Sequence, residues 1–175
     1  MKISEQAISR LSTQHQSIRV YIDGLPAATL HRQYQEDVPP IHEIIAYLCR
    51  YQYVWFERVK SMCRNLNPCF STYDAQKDPH FRFMIAKTNG CLVRELFSFR
   101  EDITGYIKAL PGSYGSRIGT HAVFGRMCLN EWIEFFLLHE SRELFKIFKL
   151  SCAIRSAERS THDVINMPWL KAQSG

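Results

Sequence analysis

His139 and Glu143 stand four residues apart inside the apolar run 130–150. On a helix, that spacing puts an imidazole and a carboxylate on one face. The face is the apolar one, because Leu129, Trp132, Phe136, Ile147 and Leu150 fall on it at steps of three and four. Both side chains can hold a cation or move a proton, and both point where a core belongs. A carboxylate taken out of water is costly unless something pairs with it. Glu143 therefore requires a partner from elsewhere in the fold.

The elements that must position this pair are helices. The first pattern runs over 3–21, with Ile8, Leu11, His15 and Ile18 on one side, and closes at Asp23-Gly24-Leu25-Pro26. A short, partly helical stretch follows over 27–35. The second long helix opens after Pro39-Pro40 and carries Ile44, Tyr47, Leu48, Tyr51, Val54, Trp55 and Val59 to Arg64. Residues 69–79 form a loop rich in Ser, Thr, Asp and Pro, longer than most connections. The third helix spans 79–110 with a break near Asn89-Gly90, and Pro111-Gly112 forbids its continuation.

Thr120 reads as the N-cap of a fourth helix, from His121 to about residue 150. The tail is polar until Met167-Pro168-Trp169-Leu170, a short apolar anchor. No strand alternation and no repeat stands out. Four amphipathic stripes bury one another most simply as an all-α four-helix bundle, here one domain over 1–175 with its core in 3–150 and a tail over 151–175. Periodicity alone does not choose between up-down and crossover topologies. The expectation taken forward is four antiparallel helices, with the 69–79 connection crossing one end.

Composition narrows the function classes. An apolar fraction of 46% and a charged fraction of 22% exclude wholesale disorder, and a net charge of +5 over 175 residues is too mild for a dedicated nucleic-acid binder. No apolar run approaches the roughly 20 residues needed to cross a bilayer, and no apolar signal region follows Met1-Lys2. Cys49, Cys63, Cys69, Cys91, Cys128 and Cys152 contain no Cys-x-x-Cys pair and read as reduced, mostly buried thiols. The expectation is a cytoplasmic protein with no membrane and no nucleic-acid partner.

The segment Gly119-Thr120-His121-Ala122-Val123-Phe124-Gly125-Arg126-Met127-Cys128-Leu129, followed by Glu131-Trp132 and His139-Glu140, resembles the DinB-like superfamily of four-helix bundle proteins. Ile41-His42-Glu43-Ile44-Ile45-Ala46-Tyr47-Leu48 is similar to the stretch where that family places its second helix. The resemblance implies a bundle with short additional helices. It also implies a divalent metal on three histidines, one from the second helix and two from the fourth, spaced His-x-x-x-His. By position those sites are Tyr47, His139 and Glu143 here, and only His139 keeps the family residue. The implied activity is a metal- or thiol-dependent hydrolase or transferase acting on a small molecule. The alternative is a non-catalytic bundle with a degenerate metal site that binds small molecules or partners. A homodimer is implied as well.

The three positions admit two chemistries. As metal ligands for zinc, nickel, manganese or iron they form a thin set, since Tyr47 would have to lose a proton of pKa about 10. As a metal-free network, Tyr47 donates to Glu143 while a protonated His139 sits against the same carboxylate, satisfying every buried group. The network is the favoured expectation. Under the enzyme reading, Glu143 or His139 serves as general base or ligand and Tyr47 as donor to a developing oxyanion, in a cavity flanked by loops 69–79 and 111–120. The His-Glu-x-x-Glu string lacks the second histidine of a zinc protease helix. Cys49 reads as a small buried hydrophobe, and Arg142, Lys146 and Lys149 as helix C-terminal cations. No spacing aims His42, His80, His121 or His162 at the site.

Overall fold

Hydroxyl groups shape the first rod. Ser4 caps α1 (Glu5–Thr13) by accepting from the Ala7 N–H at 3.4 Å. Ser12 and Thr13 then bond back to the carbonyls of Ile8 and Ser9, a habit that bends helices. One 3₁₀ turn follows before α2 (Ser17–Ile22), so the expected single helix is a bent pair. After the one-turn α3 (Ala27–Leu30), α4 (Ile41–Arg64) starts directly behind Pro40. The expected break in the third helix occurs at 86–88: α5 (Pro79–Ile85) ends, and Thr88 caps α6 (Asn89–Ala109) by accepting from the Cys91 N–H. The computed structural model describes residues 2–165, with side chains through Arg159.

The last element, α7 (Leu129–Ile165), runs well past the expected end near residue 150. Residues 130–165 contain neither glycine nor proline to stop it. Buried Ile154 continues the stripe of Ile147 and Leu150, and Arg155 holds the Tyr21 and Asp23 carbonyls at 2.9 Å. The expected anchor at Met167–Leu170 lies outside the described residues.

The bundle consists of two parallel pairs. Lys2 meets Asn130, Gln14 meets Leu137 and Tyr21 meets Arg155, so the first rod runs parallel to α7. Along α4 and α6, Gln52 meets Leu96 and Phe56 meets Tyr106, again parallel. Trp55 reaches the Trp132 carbonyl while Tyr47 reaches His139, so α4 and α7 are antiparallel. The expectation of four mutually antiparallel helices is therefore corrected. A parallel α4–α6 pair obliges the intervening chain to travel back along α4. It does so by three contacts: Arg58 to the Ser71 carbonyl at 2.7 Å, Arg50 to Asp78 at 2.6 Å and His42 to the Ile85 carbonyl at 2.8 Å. The long connection is a side wall rather than an end cap.

A small sheet replaces the expected start of the fourth helix. Strands β1 (Cys69–Phe70), β2 (Ile118–His121) and β3 (Gly125–Cys128) lie in that order, β1 parallel and β3 antiparallel to β2. His121 Nδ1 accepts from the Val123 and Phe124 N–H groups at 3.1 and 3.4 Å, taking donors that a helix would use. Gly125 adopts φ +74°, and a Cβ on Gly119 would lie 2.9 Å from the Phe70 ring. The helix begins only where Glu131 reaches back to the Cys128 N–H at 2.7 Å. Thr120, expected as the cap, bonds Asn67 instead.

Of the six thiols, only Cys49 and Cys63 are buried, correcting the expectation for the set. Burial pushes Cys49 up to about 12, which keeps it an inert packing group. Among the described residues, no helix is long and apolar enough to cross a membrane.

Candidate functional site

Antiparallel packing of α4 on α7 brings Tyr47 to His139. The Tyr47 hydroxyl lies 3.0 Å from His139 Nε2, and the Tyr51 ring stands 4.4 Å from the imidazole. Burial lowers the His139 pKa, and the attraction of Glu143 does not reverse it. Burial also raises Tyr47, followed by the nearby Tyr51 and Glu143. Both groups are thus neutral at neutral pH, and the phenol, which keeps its proton, donates to the better-accepting imidazole nitrogen.

Two cavities meet at this bond. One of about 300 Å³ is lined by Pro39, Ile44, Ala75, Phe81, Glu143 and Lys146 among others. The other, of about 450 Å³, is lined by Tyr51, Arg58, Tyr73, His121, Phe124 and Phe135 among others. Tyr47, His139 and Arg142 line both. The expected loop 69–79 supplies Thr72, Tyr73, Ala75 and Gln76. The other expected flank, 111–120, is replaced by the β2–β3 hairpin through His121 and Phe124.

Glu143 does not hold the network together as expected. Both its oxygens accept from Lys146 Nζ at 2.9 Å. Lys146 stands one turn further along the same helix and satisfies the carboxylate without crossing the bundle. Since α7 continues well past it, the role expected for Lys146 at a helix C-terminus does not apply. The expected Tyr47–Glu143 bond is therefore a Tyr47–His139 bond, and the expected imidazolium is a neutral ring.

The three positions do not make a fit for the divalent metal that the resemblance implies. His139 Nε2 is taken up by a phenol whose ionisation burial opposes, and the Glu143 carboxylate is neutralised by a lysine. Among the described residues no group of three or more His, Cys, Asp or Glu side chains is arranged to hold an ion.

His121 and Arg58 are residues of this region that spacing did not reveal. His121 arrives on a hairpin, and Arg58 lies three turns beyond Tyr47 on α4. The one available signal for Arg58 was a cation on the apolar face that also carries Tyr51, Trp55 and Val59. His42 is taken up structurally by Ile85 and Asn89, and His80 is exposed.

A sequence profile of the DinB superfamily matches residues 10–144. Among solved structures, YfiT from Bacillus subtilis, described as a probable metal-dependent hydrolase with an unusual four-helix bundle topology, superposes with a TM-score of 0.76 over 87% of this chain and 90% of its own. The two are 14% identical, so the likeness is one of fold. No curated protein matches this chain.

Proposed function

The chain belongs to the DinB superfamily, and from that premise we propose that it is a hydrolase or transferase of a small molecule that works by acid–base chemistry at Tyr47 and His139. The observation that carries this reading is the 3.0 Å bond between two neutral groups at the junction of two cavities. A neutral imidazole accepts a proton at Nε2, and an un-ionised phenol gives one. When a substrate carbonyl takes the Tyr47 hydroxyl as its donor, Nε2 is released to accept the proton of an attacking water or thiol. The oxygen or sulfur then bonds to the carbonyl carbon, and Tyr47 steadies the oxyanion. His139 returns the proton to the leaving group as the second bond breaks. Arg142, shared by both cavities, lies within reach of an anionic substituent.

A panel of aryl esters and amides, with water or a small thiol as acceptor, tests this after treatment with chelator. Turnover should survive chelation. It should fall by about 10²–10⁴-fold in His139→Gln and by about tenfold or more in Tyr47→Phe. Activity that vanishes with chelator and returns with zinc overturns the reading. A second reading, a non-catalytic ligand-binding bundle, is favoured by one observation: Lys146 pairs with Glu143, so the carboxylate one turn from His139 is not free to act as a base. Ligand binding without turnover across the panel would establish it.

A further inference from the structure

The larger cavity holds a cation without a counter-ion. Arg58 is 8% exposed, and its Nη2 donates to the Ser71 carbonyl at 2.7 Å. Its Nη1 is buried with no partner, and no carboxylate of the described residues forms an ion pair with it. A buried guanidinium with an idle donor is expensive, because each unpaired polar group forfeits its hydration. The other three arginine and histidine side chains on the cavity wall bring no negative charge to balance it. His121 spends Nδ1 as an acceptor for two backbone N–H groups, so Nε2 carries the ring proton. Arg142 is exposed at the junction with the smaller cavity, and His139 completes the set. No carboxylate lines this cavity among the described residues; Glu43 and Glu143 line the smaller one.

Most of the rest of the wall is aromatic. Tyr51 and Tyr73 stand 5.6 Å apart, Phe124 and Phe135 stand 5.0 Å apart, and Phe124 is 59% exposed on its hairpin. A large exposed ring at a cavity mouth is where a ligand would recover the cost of leaving it in water.

We propose that the larger cavity is a carboxylate subsite, in which the Arg58 guanidinium, assisted by His121 and Arg142, takes the anionic head of a small aromatic acid whose ring lies among Tyr51, Tyr73, Phe124 and Phe135. A carboxylate suits the site better than a phosphate. The one buried cation, with one nitrogen already committed, balances a monoanion; Arg142 is exposed, so water screens its charge, and burial together with the Arg58 charge lowers the His121 pKa, so that ring adds a donor and no charge. The volume of about 450 Å³ suits a two-ring acid. This inference rests on the acid–base reading only for placing the reacting group beside Tyr47 and His139; the subsite itself is a matter of binding.

Calorimetric titration of the full chain with 2-naphthoate, its neutral isostere 2-naphthamide, and naphthyl phosphate tests the assignment. The naphthoate should bind at least about tenfold tighter than the amide. Arg58→Met should abolish that preference, and Arg142→Gln, an exposed position, should weaken naphthoate several-fold while leaving the amide unchanged. Because Arg58→Met also removes the bond to Ser71, the comparison of isosteres on the unaltered chain and the Arg142→Gln arm stand whether or not that variant folds. Equal affinity for acid and amide overturns the proposal, as does a preference untouched by both substitutions. A phosphate that binds tenfold tighter than the carboxylate overturns its choice of head group. Tyr47→Phe should retain naphthoate binding while losing turnover. Retained binding with unchanged turnover defeats the acid–base reading alone, and loss of the carboxylate preference defeats the subsite alone.

Discussion

Glu140 and Glu143 stand less than one turn apart on α7, yet they belong to polar clusters of opposite kinds. Glu140 accepts from Arg100 Nη1 and Nη2 and from Gln14 at 3.0 Å. Arg100 sends its Nε to Gln52, whose amide nitrogen goes to the Leu96 carbonyl, and its Nη1 also reaches the Leu11 carbonyl. Glu140 and Arg100 are each 1% exposed, and all four rods of the bundle contribute a partner. Around Tyr47 and His139 two cavities open, and Arg58 beside them keeps a donor unspent, whereas the cavity of about 300 Å³ that Arg100 lines meets a guanidinium already paired with Glu140. A polar cluster whose donors and acceptors are all paired has no capacity left for a ligand and acts as a tie between helices. One left incomplete beside a cavity has that capacity.

The largest effect should come from breaking the closed cluster. Glu140→Gln alone or Arg100→Met alone is expected to cost about 3–5 kcal/mol in urea unfolding, because each strands a buried charge. Arg100→Met with Glu140→Leu should recover most of that loss. A single-variant cost below about 1 kcal/mol would show that the cluster is not closed.

The next effect is one of pH. His15 is 3% exposed and pushed down to about 3 by burial, then by Arg100 and Arg19. Below pH 6.5 the unfolded chain takes up this proton and the folded chain does not, so stability falls with falling pH towards 3. The contribution is at most about 1.4 kcal/mol per pH unit. His15→Gln should flatten unfolding free energies measured between pH 6.5 and 4.5, and an unchanged slope would refute the assignment.

At the open cluster, Tyr47→Phe should cost less than about 1.5 kcal/mol, because cavity water can replace the lost donor to His139. Its effect should appear in turnover instead, which separates a working group from a structural tie. Tyr47→His combined with Glu143→His sharpens the contrast, since two imidazoles then replace the phenol and the lysine-bound carboxylate and join that of His139. The double variant should bind zinc or nickel in a titration where the parent binds more weakly. Equal, negligible binding by both would show that position 143 does not converge on the other two.

The smallest effect belongs to Glu143→Gln. Lys146 is partly exposed, so loss of the i,i+3 pair should cost less than about 1 kcal/mol. A loss of 3 kcal/mol or more would mean that Glu143 supports a buried partner after all.

Helical rods, the end of the second at Arg64, a break in the third close to Asn89-Gly90, the burial of the Leu129–Trp132–Phe136 stripe and of Cys49, and the meeting of Tyr47 with His139 were all legible in the amino-acid order. They rest on periodicity and punctuation within a few residues, or on positions aligned with a superfamily. The hairpin was not legible: it depends on a side-chain nitrogen capturing two backbone donors and on Gly119 passing close to Phe70. Parallel pairing of α4 with α6 was equally hidden, because four apolar stripes bury one another in several topologies. Partner choice was the deepest gap. Glu140 finds Arg100 and Gln14 at separations of 40 and 126 residues, while Glu143 stops at Lys146 three residues away. Local pattern gave the two glutamates no such difference, since a charge takes its partner from whatever the packed helices bring within hydrogen-bond reach.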